Sequence, residues 1–311
     1  MLVYSPSYNT DLRKYGFDKP FALDRGQMVL DALQQEYGRA IPYLLPEAIS
    51  LEDAGLIHSR DYLESLKNDE SWREIFELKE EDLLPPGNYE PLHNLLGDIL
   101  LKSGGTLLAC RKALETGLAA NLGGGYHHAF PDQGRGFCVL NDIAISITKL
   151  RRKHLVERVI IVDLDFHQGD GTAYIFRNDP DVFTLSVHSQ EGWPDEKQES
   201  DLDVPVYSEE TELYLEKTTQ GIDQALSSFD PQLCLFVAGS DPYELDILPG
   251  TRFLRLSLER LRQRDELVIN RFHDLKIPLA MVFAGGYGPD VWRVHHQAVR
   301  HLLLKSGILA Q

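Results

Sequence analysis

Two periods of hydrophobic patterning take turns along this chain. Short apolar runs rich in β-branched residues occur at Leu2 to Tyr4, 119–122 (AANL), 158–164 (RVIIVDL), 182–187 (VFTLSV), 232–238 (QLCLFVA) and 278–284 (PLAMVFA). Runs of this length predict strands. Several are apolar at consecutive positions rather than at every second one, as parallel strands covered on both faces should be. Around them, apolar residues recur at helical spacing over about 24–37, 91–116, 139–152, 212–227, 254–271 and 290–305. Asp24 is placed to cap the first of these helices, and Gly117 to end the second. Ser50 and Asp53 have capping-box spacing before another apolar run. The charged segment 68–90, with LPPGNYEP, reads as a surface loop with some helix. No repeat, low-complexity tract or linker breaks the order. The pattern predicts a single domain over 1–311: an α/β fold with one doubly wound, mostly parallel sheet and helices on both faces.

Composition narrows the classes. The 311 residues carry a net charge of −17, so the basic stripes of general nucleic-acid binding are not expected. No apolar run approaches the roughly 20 residues that cross a bilayer, and MLVYSPSYNT has no basic and apolar leader pattern. Neither nucleic acid nor membrane is an expected partner. Cys110, Cys138 and Cys234 are odd in number and contain no Cys-x-x-Cys pair, which points to free thiols in a reducing cytoplasm. Nothing in the sequence sets an oligomeric state.

The polar residues change the picture. In open parallel sheets, ligands bind beyond the carboxyl ends of the strands. There the chain places GGGYHHAF with His127 and His128, DLDFHQGD with Asp163, Asp165, His167 and Asp170, then His188, then GSDPYELD with Asp241, then GGYG with Tyr287. Any one of these is an ordinary turn, but five successive strand ends converge on one rim. Asp165 and His167 are two apart, which on extended chain aims both the same way, and Asp163 shares their face. With Asp241 they make two carboxylates and an imidazole with positions to spare, a catalytic rather than structural metal set. Zinc, Fe(II), Co(II) and Mn(II) all suit it. The plainer readings are a hydrogen-bonded strand cap for Asp165 and His167, and a turn for Asp241 before Pro242. Adjacent His127 and His128 reach one site only from an irregular loop, which the preceding glycines permit. Asp163 and Asp170 are spare carboxylates to orient such imidazoles for proton transfer. The Tyr287 hydroxyl is placed either to pack or to polarise a carbonyl.

These motifs resemble the histone deacetylase superfamily, zinc-dependent acetyl-lysine hydrolases with an arginase-like fold. GGGYHHAF with GFCVLNDIAIS, VDLDFHQGDGT, AGSDPYELD and FAGGYG stand in the family's order, and HSRDYLESL resembles an earlier segment. Length and the Gln in DFHQGDG look most like the short class IV members and their bacterial relatives. The resemblance implies that Asp165, His167 and Asp241 bind one zinc per chain, with Fe(II) as a substitute. It implies that His128, held by Asp170, is the general base and then acid, that His127 with Asp163 is its electrostatic partner, and that Tyr287 donates to the substrate carbonyl. A structural potassium would be held by main-chain oxygens of Asp163, Asp165, His167 and Val187, with the Asp163 and Ser186 side chains. Gly136, Phe137, Trp193 and Leu248 match the tunnel for the acyl-lysine stem.

The sequence departs from the family at Gln168, where larger classes have His, and tuning rather than loss is expected there. No rim carboxylate can be matched, since Asn88 and Tyr89 lie in its region, and the family's arginine below the site cannot be placed. The expected reaction is hydrolysis of an acylated lysine in a peptide or protein. The alternatives are a small acylated amine such as an acetylpolyamine, a long-chain acyl-lysine, and a non-catalytic acyl-lysine binding module. A two-manganese guanidine hydrolase would need Asp where Gly169 stands.

Overall fold

Successive residues of an extended strand face opposite ways, so an unbroken apolar run must be covered twice. Ile160 and Val162 join one buried cluster, while Val159 and Ile161 join another on the opposite face. The computed structural model describes residues 1–309; residues 310 and 311 of the expected 1–311 domain lie outside the described residues. Its sheet has eight strands: β1 (Leu2–Val3), β2 (Tyr43–Leu44), β3 (Leu118–Asn121), β4 (Val159–Asp163), β5 (Val182–Ser189), β6 (Leu202–Val206), β7 (Leu233–Val237) and β8 (Leu279–Val282). Their order is β2-β1-β3-β8-β7-β4-β5-β6, and every pair is parallel.

Ten helices accompany them among the described residues: α1 (Arg25–Tyr37), α2 (Leu51–Ala54), α3 (Arg60–Ser65), α4 (Asp69–Ile75), α5 (Leu96–Thr116), α6 (Asp142–Arg152), α7 (Asp170–Phe176), α8 (Tyr214–Ser228), α9 (Leu258–Asp274) and α10 (Trp292–Lys305). Residues of α1, α8, α9 and α10 fill the core on one sheet face, and residues of α5, α6 and α7 fill it on the other. A third cluster, around Trp72 and Phe17, packs the segment before α5. None of these helices is long and apolar enough to cross a membrane.

Three elements escape the sequence pattern. Strand β6 is a half-buried edge containing Pro205, whose missing N–H is tolerated only at an edge. Strand β2 is two residues long. Helix α7 has seven residues and starts inside the polar stretch that reads as site. Boundaries also move for stated causes. The helix expected from 139 starts at Asp142 because the Asn141 side chain accepts from Ala144 N. The one expected from 254 starts at Leu258, capped by Ser257. Segment 68–90 contains α4, with Asn68 as its cap.

Candidate active site

The four central strands β3, β8, β7 and β4 end side by side, and the polar loops follow all four. After β4 the chain is no longer extended. Asp163 Oδ1 accepts from Asp165 N at 3.1 Å, and Asp165 Oδ1 accepts from His167 N at 3.0 Å. Two consecutive Asx turns, rather than a shared strand face, bring Asp165 and His167 together. Asp241 arrives from the loop after β7 and is held by Phe166 N at 3.0 Å, while Gly285 N, beyond β8, donates to Asp165 Oδ2 at 2.8 Å. One ligand atom from each of Asp165, His167 and Asp241 lies within 4.8 Å of the others, and all three residues are buried.

The electrostatics of this triad call for a cation. Burial alone would lower the His167 imidazole, but hydrogen bonds and charge from Asp165 and Asp241 outweigh it and push it up to about 10. Asp241 is pushed up by burial and then by the charge of Asp165. Two buried carboxylates this close retain positive charge between them, and a divalent ion supplies it without a proton. The donor set of two carboxylates and an imidazole fits such an ion.

The loop after β3 turns sharply. Gly125 has φ +88°, and a Cβ there would sit 2.7 Å from the Ala284 Cβ, so only glycine fits. Asp142 fixes this turn, accepting from Gly125 N at 2.9 Å and Tyr126 N at 2.7 Å. His127 Nδ1 then meets Asp163 Oδ2 at 2.7 Å, and His128 Nδ1 meets Asp170 Oδ1 at 2.6 Å. The rings are 3.9 Å apart. Adjacent in sequence, they differ in proton affinity. For His127, burial is outweighed by the charges of Asp163 and Asp165, and the imidazole is pushed up to about 9. For His128, burial and then the neighbouring charge of His127 pull it down to about 4 against Asp170.

A cavity of about 130 Å³ opens above these groups, lined among others by His127, His128, Asp165, His167, Phe137, Gly136 and Tyr287. Burial raises the Tyr287 phenol well above its usual range, so the hydroxyl stays protonated. Phe137 lies 5.8 Å from the Tyr287 ring, and Trp193 lies 4.7 Å from the His128 ring. Gly136 passes between His128 and Trp193, where a Cβ would come within 2.8 Å of both. Leu248 does not line this cavity; it is half-buried, with its N–H on Asp246 Oδ1. Asp246 ties this loop to the site, also accepting from Tyr287 N at 2.7 Å. Ser186 stands opposite Asp163 on β5, with Val187 next to it, and the Ser186 hydroxyl is 2.9 Å from His188 Nδ1. Tyr89 is exposed, its hydroxyl bonded to Pro85 O at 2.5 Å.

Sequence reasoning misses Arg25, and reaches His58 and Gln168 only through the resemblance, without their contacts. Arg25, the first residue of α1, lines the cavity and donates to Gly285 O at 2.9 Å and to Ala284 O. No motif surrounds it; its one signal is a cation opening an otherwise amphipathic helix. His58 takes Asn141 N on its Nε2 and contacts Phe130 O through Nδ1, fixing the segment that carries Phe137. Gln168 binds the loop bearing Trp193 through Gln198 O, Gln198 N and Asp203.

Comparison with known proteins gives the family. The histone deacetylase domain family matches residues 19–303. Histone deacetylase 2 of Arabidopsis thaliana is 31% identical over 97% of this chain and 78% of its own length. Acetoin utilization protein AcuC of Bacillus subtilis is 27% identical over 98% of this chain and 81% of its own. An uncharacterized protein of Picosynechococcus is 42% identical, over 65% of each chain. The chain belongs to the histone deacetylase family and is a hydrolase of the deacetylase type.

Proposed function

We propose that this chain hydrolyses N-acyl amides of lysine side chains, with one zinc ion at Asp165, His167 and Asp241, releasing acetate or another acid and the free amine. The observation that carries the reading is the meeting of that buried triad with two His–Asp pairs and a phenol around one cavity. When bound, the divalent ion supplies Lewis acidity, lowering the pKa of water towards about 7 and polarising the acyl oxygen. His128 is neutral at pH 7 and so free to take the proton of the attacking water. Asp170 holds its Nδ1–H, which leaves Nε2 as the accepting atom. His127 stays cationic at the same pH and balances the negative charge that develops beside it. Tyr287, keeping its proton, donates a hydrogen bond from its hydroxyl to the acyl oxygen as that oxygen becomes anionic. His128 then returns its proton to the leaving amine. Phe137 and Trp193 flank the lysine stem, with Gly136 leaving width for it.

The same reading takes residues 1–311 as one domain, and potassium at Asp163, Asp165, His167, Ser186 and Val187 as a structural ion. It also places the protein in the cytoplasm, where its three buried free cysteines stay reduced. The runner-up is a small acylated amine such as an acetylpolyamine, which the same site chemistry would hydrolyse. Turnover of acyl-lysine peptides of increasing chain length beside acetylpolyamines separates the two. A kcat/KM at least tenfold higher on acetyl-lysine peptides is expected. Preference for the polyamine, or for a long acyl chain, would reassign the substrate while keeping the chemistry.

A further inference from the structure

The ladder between β4 and β7 ends at the pair Asp163↔Val237, with one last bond from Leu164 N to Val237 O at 3.0 Å. Beyond it the two chains part, and each goes on to a ligand candidate: Asp165 directly after Leu164, Asp241 two residues after Gly239. Parting takes the Leu164 and Gly239 carbonyls out of the ladder, inside the protein, where an unpaired carbonyl is costly. One atom serves both. Arg264 Nη1, from α9, donates to Leu164 O at 3.0 Å and to Gly239 O at 2.7 Å.

This arginine is fully buried, which is expensive for a charge unless it is compensated. Compensation comes from the next residue, Asp265, whose Oδ1 lies 2.8 Å from both Nε and Nη2. Packing of α9 on the sheet needs no such pair: Leu261, Val268, Ile269 and Phe272 of the same helix bury apolar surface alone. The neighbouring gap is closed in a similar way. His295 of α10 brings Nε2 to 3.1 Å from Ala238 O and 3.0 Å from Phe283 O, between the ends of β7 and β8.

We propose that Arg264 is a positioning residue for the metal centre. Its forked bond sets the separation of the two loops that carry Asp165 and Asp241, and through it the affinity and geometry with which the triad holds an ion. The inference rests on the metal reading given above. Asp265 keeps the guanidinium in place through Oδ1.

Two variants test it. Arg264→Lys keeps a cation beside Asp265 but lacks the fork that serves both carbonyls. Arg264→Met with Asp265→Asn removes the pair without leaving a buried charge behind. Zn²⁺ affinity is read by competition with a chromophoric chelator, and coordination by the visible bands of the Co²⁺ form. The melting temperature of the chelated protein reports the fold alone. We expect chelated Arg264→Lys to melt within a few degrees of the parent, with a Zn²⁺ dissociation constant raised about ten- to a hundredfold and altered Co²⁺ bands. Affinity within about twofold of the parent and unchanged bands would overturn the proposal, whatever the melting temperature does. If Arg264→Lys does not fold, the double variant decides by the same two readouts. Failure of both to fold would assign Arg264 to the fold and overturn the proposal too. A parent chain that binds no Zn²⁺ would instead defeat the metal reading, and its own titration reveals that.

Discussion

The floor of the cavity and its mouth are built on different terms. On the floor, Asp163, Asp165, His167 and Asp241 are buried, and backbone N–H groups fix the carboxylates: Asp165 N on Asp163, His167 N and Gly285 N on Asp165, and Phe166 N on Asp241. The donors come from loops following different strands, so no ligand moves without disturbing a neighbour. At the mouth, the loops are tied from behind by side chains, His58 under the Phe137 segment and Gln168 and Lys197 under the Trp193 loop, and the facing side chains meet through ring contacts. Arg135 stacks on Trp193 at 4.5 Å and lies 3.5 Å from Asp170. The residues proposed for the chemistry lie on the floor, and those proposed to flank the substrate stem lie at the mouth.

Substitutions at the two levels should therefore read out differently. At the floor, Tyr287→Phe removes one hydroxyl donor and no metal ligand. Its kcat should fall roughly 100-fold or more with bound metal unchanged, as for single donors to a developing oxyanion; full activity would take Tyr287 out of the mechanism. At the mouth, Trp193→Ala removes the ring that stands 4.7 Å from that of His128. It should lower kcat/KM roughly tenfold, equivalent to about 1.4 kcal/mol, mainly through KM. A kcat loss as large as that of Tyr287→Phe would erase the distinction between floor and mouth.

A smaller effect separates the floor from its supports. Burial pulls the His58 imidazole down to about 4, only partly offset by backbone hydrogen bonds to it. In the unfolded chain it takes up a proton below about pH 6.5, whereas the folded residue resists until about 4. Its contribution to stability is therefore complete above pH 6.5 and lost as the pH falls towards 4, to the order of ~3 kcal/mol. The unfolding free energy of the parent should drop between pH 7 and pH 5. His58→Gln should be less stable at pH 7 and show a shallower drop, and an equal drop in both would place the dependence elsewhere.

The repetition of one rule made the floor legible in the sequence. Apolar runs end, glycines follow, and His, Asp or Tyr appears next, at strand after strand. Spacing alone gave the wrong local reason for Asp165 and His167, since turns hidden in side-chain hydrogen bonds bring them together. The supports were not legible because each is a lone residue inside a helix of ordinary amphipathic pattern. Arg25, Arg264 and His295 acquire meaning only when the sheet order sets their helices under the strand ends. The mouth was least legible. Leu248 follows a motif by distance along the chain, and the bonds of Asp246 to Leu248 N and Tyr287 N, which hold its loop, leave no trace in the sequence pattern.

The central claim is that Asp165, His167 and Asp241 hold one catalytic divalent ion. Metal content per chain, measured beside deacylation for the parent and for Asp241→Asn, tests it most directly. We expect one zinc per parent chain, activity abolished by chelation and restored by Zn²⁺, and loss of both metal and turnover in the variant. Chelator-resistant activity, two ions per parent chain, or full zinc occupancy in Asp241→Asn would contradict it.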